Sequence, residues 1–288
     1  HRGFPCFDCS DYDDVDCMFL GYTKHHDYWH QYGVRTFHSN HCFDETLIPN
    51  INKNIEAVPL RDFTFIGTTG YGFINHDGRY YDLLKMMKET NLEVWGNELM
   101  KTRPTLSRRE KIADFLSGMP QPIIDGIGRH LGAFHPYFRT VAKTLTYHKT
   151  TDYWFYDEKP VKELYPDRMH DPVFGIDYFR LLARSRVSWN RHLEMDGAGA
   201  NMRLYEACGA GTCQVVDHRS EVLTEFEPDK EIVVYHTLDE CLEKVKYYLT
   251  HERERAEIAK AGQQRAYRDH SARSRAKHVF DGLSLMLD

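Results

Sequence analysis

Three short segments of the chain combine residue types that can handle an anionic ligand. The first is Gly67-Thr68-Thr69-Gly70-Tyr71-Gly72, which follows the apolar run Phe63–Ile66. Glycines placed directly after a strand let backbone N–H groups approach a phosphate, and a following helix adds a partly positive end. No Gly-Lys-Ser/Thr follows, so this is not a Walker loop, and the spacing misses the dinucleotide fingerprint. A tight turn and a phosphate cradle are both open readings. The second is Asn201-Met202-Arg203-Leu204-Tyr205-Glu206. On a helix Arg203 and Glu206 share a face. A guanidinium there suits a diphosphate, being bidentate and always charged, and a carboxylate one turn later can accept both hydroxyls of a ribose. The competing reading is an internal Arg203–Glu206 ion pair on a solvated face. The third is Ser188-Trp189-Asn190-Arg191-His192, which sets Asn190 and His192 directly after an apolar run.

Metal chemistry has weaker footing. Cys6-x-x-Cys9 is half of a zinc pattern without its second half, and unpaired thiols are the simpler reading. The acidic run Asp11-Tyr12-Asp13-Asp14 contains Asp-x-Asp, but it precedes an apolar run where a diphosphate-bridging cation would need it to follow one. His26 and His30 are four apart, yet no His-Glu-x-x-His pattern accompanies them. The expectation is no metal site. No Gly-x-Ser-x-Gly elbow supports a hydrolase.

These segments need a scaffold. The chain has 288 residues, which predicts about two domains. Its net charge of −6 argues against a nucleic-acid coat, and the basic run Arg265, Arg268, Arg273, Arg275, Lys277 reads as a solvated helix face that leaves room for peripheral membrane contact. No apolar run reaches the ~20 residues of a membrane span. Seven cysteines, an odd number in a long chain, point to a reducing, cytoplasmic setting. The first residue is His1 rather than Met, so the chain reads as processed, cut or missing its start.

Apolar runs at 15–20, 34–37, 63–66, 92–95, 187–189, 212–216 and 232–235 predict strands. Helical spacing marks 24–32, 79–89, 108–116, 176–183, 202–208, 238–249, 252–268 and 272–286. Residues 40–60, rich in Asn and Pro, read as a linker, and 97–170 as an insertion with many aromatics. Strands alternating with helices predict an α/β fold with a parallel sheet, in which ligands bind outside the carboxyl ends of the strands.

Several stretches resemble the carboxyl-terminal domain of GT-B glycosyltransferases, in particular the CgeB-like (spore-maturation) branch. They are Phe174–Ser185 with Val187-Ser188-Trp189-Asn190, Asn201-x-Arg203-Leu204-Tyr205-Glu206-Ala207-Cys208-Gly209, Glu231–Tyr235 with Asp239-Glu240 and Tyr247-Tyr248-Leu249, and Ile258–Arg265 with Asp269-His270. Phe63–Gly67 and Arg79 are similar to the first strand, loop and helix of the same domain. The resemblance implies a Rossmann-like donor-binding domain over 51–270, a truncated remnant of the acceptor-side domain over 1–50, and a final helix, 271–288, crossing back. It implies a nucleotide-diphosphate sugar as donor, a glycan, lipid or protein hydroxyl as acceptor, cell-surface glycan biosynthesis as the setting, and no bound metal or other cofactor. Gly67, Thr68 and Thr69 would approach the diphosphate. Asn190, His192, Asn201 and Arg203 would lie beside phosphate or sugar, and Glu206 would bind the ribose. The first Glu of the Glu-x7-Glu pattern of retaining members is replaced by Ala198, which leaves Glu194, Asp196 and His192 as catalytic candidates. A non-catalytic nucleotide-sugar or carbohydrate-binding module derived from such an enzyme is the alternative.

Overall fold

The computed structural model describes residues 15–21, 23–71, 77–98, 159–192 and 199–287. The chain opens with a small unit: β1 (Cys17–Leu20), α1 (Thr23–His30) and β2 (Arg35–His38), the two strands pairing in parallel. Gly33, at φ +78°, turns the chain from α1 toward β2. The stretch expected to be a linker holds structure of its own, α2 (Ile48–Asn52) flanked by short 3-10 turns. Pro49 sits in the first turn of α2, where a missing N–H costs nothing, and Asp44 caps the turn before it. Composition alone marked these residues as breakers when they are helix starters.

The main unit alternates β3 (Arg61–Ile66), α3 (Asp77–Glu89), β4 (Glu93–Trp95), α4 (Val161–Leu164), β5 (Met169–His170), α5 (Gly175–Ala183), β6 (Ser185–Asn190), α6 (Met202–Ala210), β7 (Cys213–Asp217), α7 (Ser220–Glu225), β8 (Val233–Tyr235), α8 (Leu238–Thr250) and α9 (Glu252–Asp269). Its six strands are all parallel, in the order β5-β4-β3-β6-β7-β8. The expected α/β fold is therefore present. Helix α7 has no counterpart in the sequence reading, and Met169–His170, inside the range read as insertion, forms the edge of the sheet. The helix expected at 108–116 lies outside the described residues.

Both faces of the sheet are covered, as a parallel sheet requires. Phe63, Phe65, Val187, Val215 and Val233 meet Leu83 and Met87 of α3 and Val245 of α8 on one face. Ile66 meets Leu181 and Leu182 of α5 and Ala207 of α6 on the other. The final helix, α10 (Ala272–Leu287), runs back to the small unit: Gly282 packs on the rings of Phe19 and Phe37, and the Arg275 guanidinium donates to the His41 carbonyl at 3.1 Å. No described helix is long and apolar enough to cross a membrane.

The strand order sets the location of a site. The chain enters the sheet at its centre with β3, builds outward through β4 and β5, then returns to lay β6 against the other side of β3. The crossovers diverge to the two sides at the carboxyl ends of β3 and β6, the switch point at which such sheets bind ligands.

Candidate functional site

Ile66 and Asn190 end the two central strands. After Ile66 the chain turns at Gly67, whose φ of +152° disfavours any side chain. A Cβ on Gly67 would overlap the Arg203 guanidinium, and one on Gly96 would overlap the Gly67 carbonyl. The two glycines let the loops after β3 and β4 touch and bring Arg203 onto the Gly67 backbone. Thr68 Oγ1 accepts from Arg79 Nη1 at 3.1 Å. Thr69 is fully buried and its hydroxyl donates to Glu98 at 3.4 Å, while the Glu98 carboxylate accepts the Val161 and Lys162 N–H groups at the start of α4. Thr69 thus anchors the loop and Thr68 is the more open of the pair.

Helix α6 begins beside this loop. Asn201 is its N-cap, accepting the Leu204 N–H at 3.1 Å, and Gly211 at φ +87° closes it. Asn190 and Asn201 exchange two amide hydrogen bonds of 2.9 and 2.8 Å, fastening the end of β6 to the start of α6. Arg203 Nη1 reaches Asn190 Oδ1 at 3.4 Å, and its guanidinium lies 5.2 Å from the centre of the Phe65 ring. Arg79 of α3 lies 5.7 Å from the same ring. Arg79 is only 5% exposed and donates to uncharged oxygens: the Thr68 carbonyl at 3.3 Å, the Thr68 hydroxyl, and the Arg191 carbonyl at 2.9 Å. Its Nε has no partner. Burial, and then the Arg203 and Arg191 charges, lower its pKa to about 9, which leaves it charged at neutral pH. Among the described residues, no carboxylate lies within ion-pairing distance of Arg79 or Arg203. Asp217 acts on Arg79, and Glu206 on Arg203, only from beyond ion-pairing distance, and a helix start beside a glycine turn is a setting that favours negative charge.

The competing reading, an internal Arg203–Glu206 ion pair, is not met: no such pair is formed. Glu206 accepts instead from the Tyr178 hydroxyl of α5 at 2.6 Å. Burial raises the Glu206 pKa, with Tyr178 and Arg203 pulling it back. Burial, then the adjacent carboxylate, raises that of Tyr178. His192 is likewise committed to structure. Its Nε2 accepts the Asn201 N–H at 3.0 Å, so Nδ1 carries the proton and donates to Asp217 at 2.7 Å. A buried ring with both nitrogens engaged positions the two ends of the segment between β6 and α6; as it stands it has no nitrogen free to move a substrate proton. Burial would raise the Asp217 pKa, but hydrogen bonds from His192 and Arg219 prevail and hold it at about 2.

The glycosyl transferase-like family matches residues 135–281, just over half of the sequence. The chain belongs to that family. No curated protein matches it. Solved GT-B glycosyltransferase structures share the fold of this glycosyl transferase-like chain. HepE from Anabaena, in complex with UDP and glucose, aligns with a TM-score of 0.55 and 12% identity over 93% of this chain and 63% of its own. Sucrose-phosphate synthase from Thermosynechococcus elongatus gives 0.54 and 9%, over 98% and 64%. A glycosyltransferase from Rickettsia africae gives 0.56 and 9%, over 99% and 68%. The chain therefore spans less than two thirds of HepE and of the synthase.

Within this transferase-like fold the structure brings Gly67, Thr68, Asn190, Asn201, Arg203 and Glu206 to one edge of the sheet. Glu194 and Asp196 lie outside the described residues, as do Cys6, Cys9 and the Asp11–Asp14 run. Among the described residues no group of three or more His, Cys, Asp or Glu side chains could hold a metal ion. Sequence reasoning gave three contributors no role at the site, although the resemblance had picked out Arg79. Arg79 was legible only as a helix-start cation following the glycine loop, Tyr178 only as a tyrosine on an amphipathic helix, and Asp217 only as the last residue of a strand.

Proposed function

We propose that the chain binds a nucleotide-diphosphate sugar at this edge and transfers its glycosyl group, of hexose type, to a hydroxyl acceptor on a glycan, lipid or protein, as a member of the CgeB-like branch. The observation that carries this reading is the Arg79–Arg203 pair, two guanidiniums at the Gly67 turn that, among the described residues, have no carboxylate within ion-pairing distance. A departing diphosphate supplies the missing negative charge, and preorganised donors in a poorly solvated site stabilise it most as it leaves. Glu206, beyond Arg203, presents an acceptor oxygen to ribose hydroxyls. UDP and glucose bound to HepE, whose fold is shared, support a nucleotide-sugar donor.

Metal independence is part of the proposal. The guanidiniums, the Gly67 turn and the start of α6 supply positive potential that other enzymes take from a cation. His192, bonded on both nitrogens, sets the start of the segment holding Glu194 and Asp196, which remain the acidic candidates for the chemical step. The described cysteines, Cys17, Cys42, Cys208, Cys213 and Cys241, are all free, which supports a reducing, cytoplasmic setting.

Thermal shifts with UDP, GDP, ADP, CDP and TDP, each with EDTA or Mn²⁺, test the reading. One nucleotide at 100 times its Kd should add about 2.7 kcal/mol, a rise of roughly 5–10 °C in Tm, with EDTA present. Arg203→Ala should abolish that shift. Equal nucleotide affinity in the variant would overturn the assignment, and no shift with any nucleotide would favour a non-catalytic module.

A further inference from the structure

Helices α5 and α6 cover one face of the main sheet, where Ile66 meets Leu182 and Ala207, and Val216 meets Leu204 and Cys208. A polar row crosses this apolar face. Thr64 of β3, Ser188 of β6 and Gln214 of β7 are neighbours in register, and all three are buried. The Thr64 hydroxyl donates to the Ser185 hydroxyl at 3.0 Å. Gln214 Nε2 donates to the Arg203 carbonyl at 3.0 Å. Ser188 Oγ and Gln214 Oε1 have no partner among the described residues.

Among the described residues, four side chains donate to carbonyls of these two helices: Ser185 to Leu181, Thr212 to Leu182, Gln263 to Gly209 and Gln214 to Arg203. Leu181, Leu182 and Gly209 lie in the last turns of their helices, where carbonyls have no partner within the helix. Those three bonds satisfy helix ends. The fourth does not. Arg203 is the second residue of α6, and a carbonyl there is supplied with a donor by the N–H four residues on. The Gln214 bond is also costly, because a buried amide with its oxygen unpaired loses free energy that an apolar side chain of the same length would keep. What the bond does set is where α6 lies. Apolar contacts are non-directional, whereas a hydrogen bond fixes distance and direction. It grips α6 at the residue whose guanidinium lies against the Gly67 turn and the Phe65 ring. The guanidinium's own bond to Asn190 is long, at 3.4 Å, so the backbone does most of the placing. We infer that Gln214 is a positioning residue for the donor site: anchored in β7, it sets the first turn of α6 so that the Arg203 guanidinium meets the diphosphate. Gln214 itself touches no substrate. This rests on the donor reading above and adds to it the part of the core that holds the cation in place. A binding group must be kept within about 0.5 Å of its productive position, so a small slide of α6 weakens binding.

Titration calorimetry of the whole chain with inorganic pyrophosphate and with UDP, alongside melting curves, tests this. Gln214→Met keeps the volume and removes both halves of the amide. Pyrophosphate and UDP should each bind about tenfold more weakly, while Tm holds or rises because the unpaired oxygen is gone as well. Gln214→Leu gives the same comparison with a second apolar side chain, should Gln214→Met misfold. Ser188→Ala, in the same row but bonded to neither helix, should change neither affinity nor Tm. Arg203→Lys supplies the last arm. A lysine is a point charge with no planar fork to orient, so Gln214→Met added to Arg203→Lys should cost about twofold or less, a non-additive result. Pyrophosphate affinity in Gln214→Met equal to the parent's would overturn the positioning role while the donor reading stands. A loss of affinity matched by a fall in Tm, or a loss just as large on top of Arg203→Lys, would also overturn it, since either marks a general loss of packing. Failure of the parent chain to bind pyrophosphate or UDP would overturn the donor reading and this role with it.

Discussion

The two parallel sheets of this molecule are held in opposite ways. In the main sheet, Phe63, Phe65, Val187, Trp189 and Val215 are fully buried between helices on both faces. In the small sheet every residue of β1 is half-buried, and Arg35 and His38 at the ends of β2 are exposed. Two strands cannot enclose a core of their own and are marginal in water. The small sheet depends on what is laid across it, namely α10 through Gly282 and Arg275, and on the junction that ties it to the main unit. At that junction Phe43 is fully buried, stacked on Tyr267 at 5.8 Å with Phe179 edge-on at 5.9 Å, and its N–H and C=O bond His270 and Ala272. Gly209 makes room for the Phe43 ring, which a Cβ there would overlap. The candidate site is built on the sheet with the complete core, where side chains keep fixed positions; the small unit is borrowed stability.

The sharpest way to break this contrast is Phe43→Ala. Removing a fully buried ring costs about 3–5 kcal/mol. If the small unit is held mainly through the junction, calorimetry should show it melting early, ahead of a second transition close to the parent Tm. A single transition lowered as a whole would mean that the two units share one cooperative core.

Acidification should separate the units next. Burial lowers the His26 pKa, with the neighbouring His38 and His30 adding to the fall and the Leu20 carbonyl and Asp27 opposing it. A histidine lowered in the folded state stabilises the fold above its unfolded value of about 6.5, and that contribution is lost as pH falls through 6.5 and below. Asp217 behaves in the opposite sense to a raised group: held at about 2, it stabilises the main unit above pH 4 and fails only as pH drops toward 2. A pH series of melts should therefore show the small unit weakening between pH 7 and 5 while the Asp217 contribution to the main unit persists. Simultaneous loss of both would contradict the assignment of these groups to separate units.

The smallest effect sharpens the contrast by its absence. Lys277 on α10 faces Asp281 at 3.8 Å with both side chains largely exposed. Such pairs contribute little, so Lys277→Ala should leave Tm within about 1 °C. A larger fall would show that α10 is held by its charged face and not by Gly282 against the two phenylalanine rings.

Much of the scaffold was readable because periodicity reports burial. The strands at 63–66, 187–189 and 212–216 and the helices at 79–89, 202–208 and 238–249 all overlap observed elements, with ends displaced by one or two residues. The stretch at 40–60 misled because Asn and Pro mark breaks and helix starts alike. Gly67, Arg203 and Glu206 stood out from local spacing, and Asn201 from the family resemblance. The partners of those residues were not. Arg79 donates to a carbonyl 112 residues away, Tyr178 reaches Glu206 across 28, and His192 meets Asp217 across 25.

Local order, then, carried the alternation of strands and helices, the glycine turn after β3 and the polar start of α6, since each depends on neighbours a few residues apart. Which cations go without a counter-charge depended on the assembled sheet. Arg203 shares a helix face with Glu206, and nothing in their spacing says that Tyr178 takes the carboxylate while Arg203 turns to Gly67 and Phe65. Only the order β4-β3-β6-β7 and the packing of α5 beside α6 bring those groups within hydrogen-bonding reach, because reach of about 3 Å is a property of folded space and not of the chain.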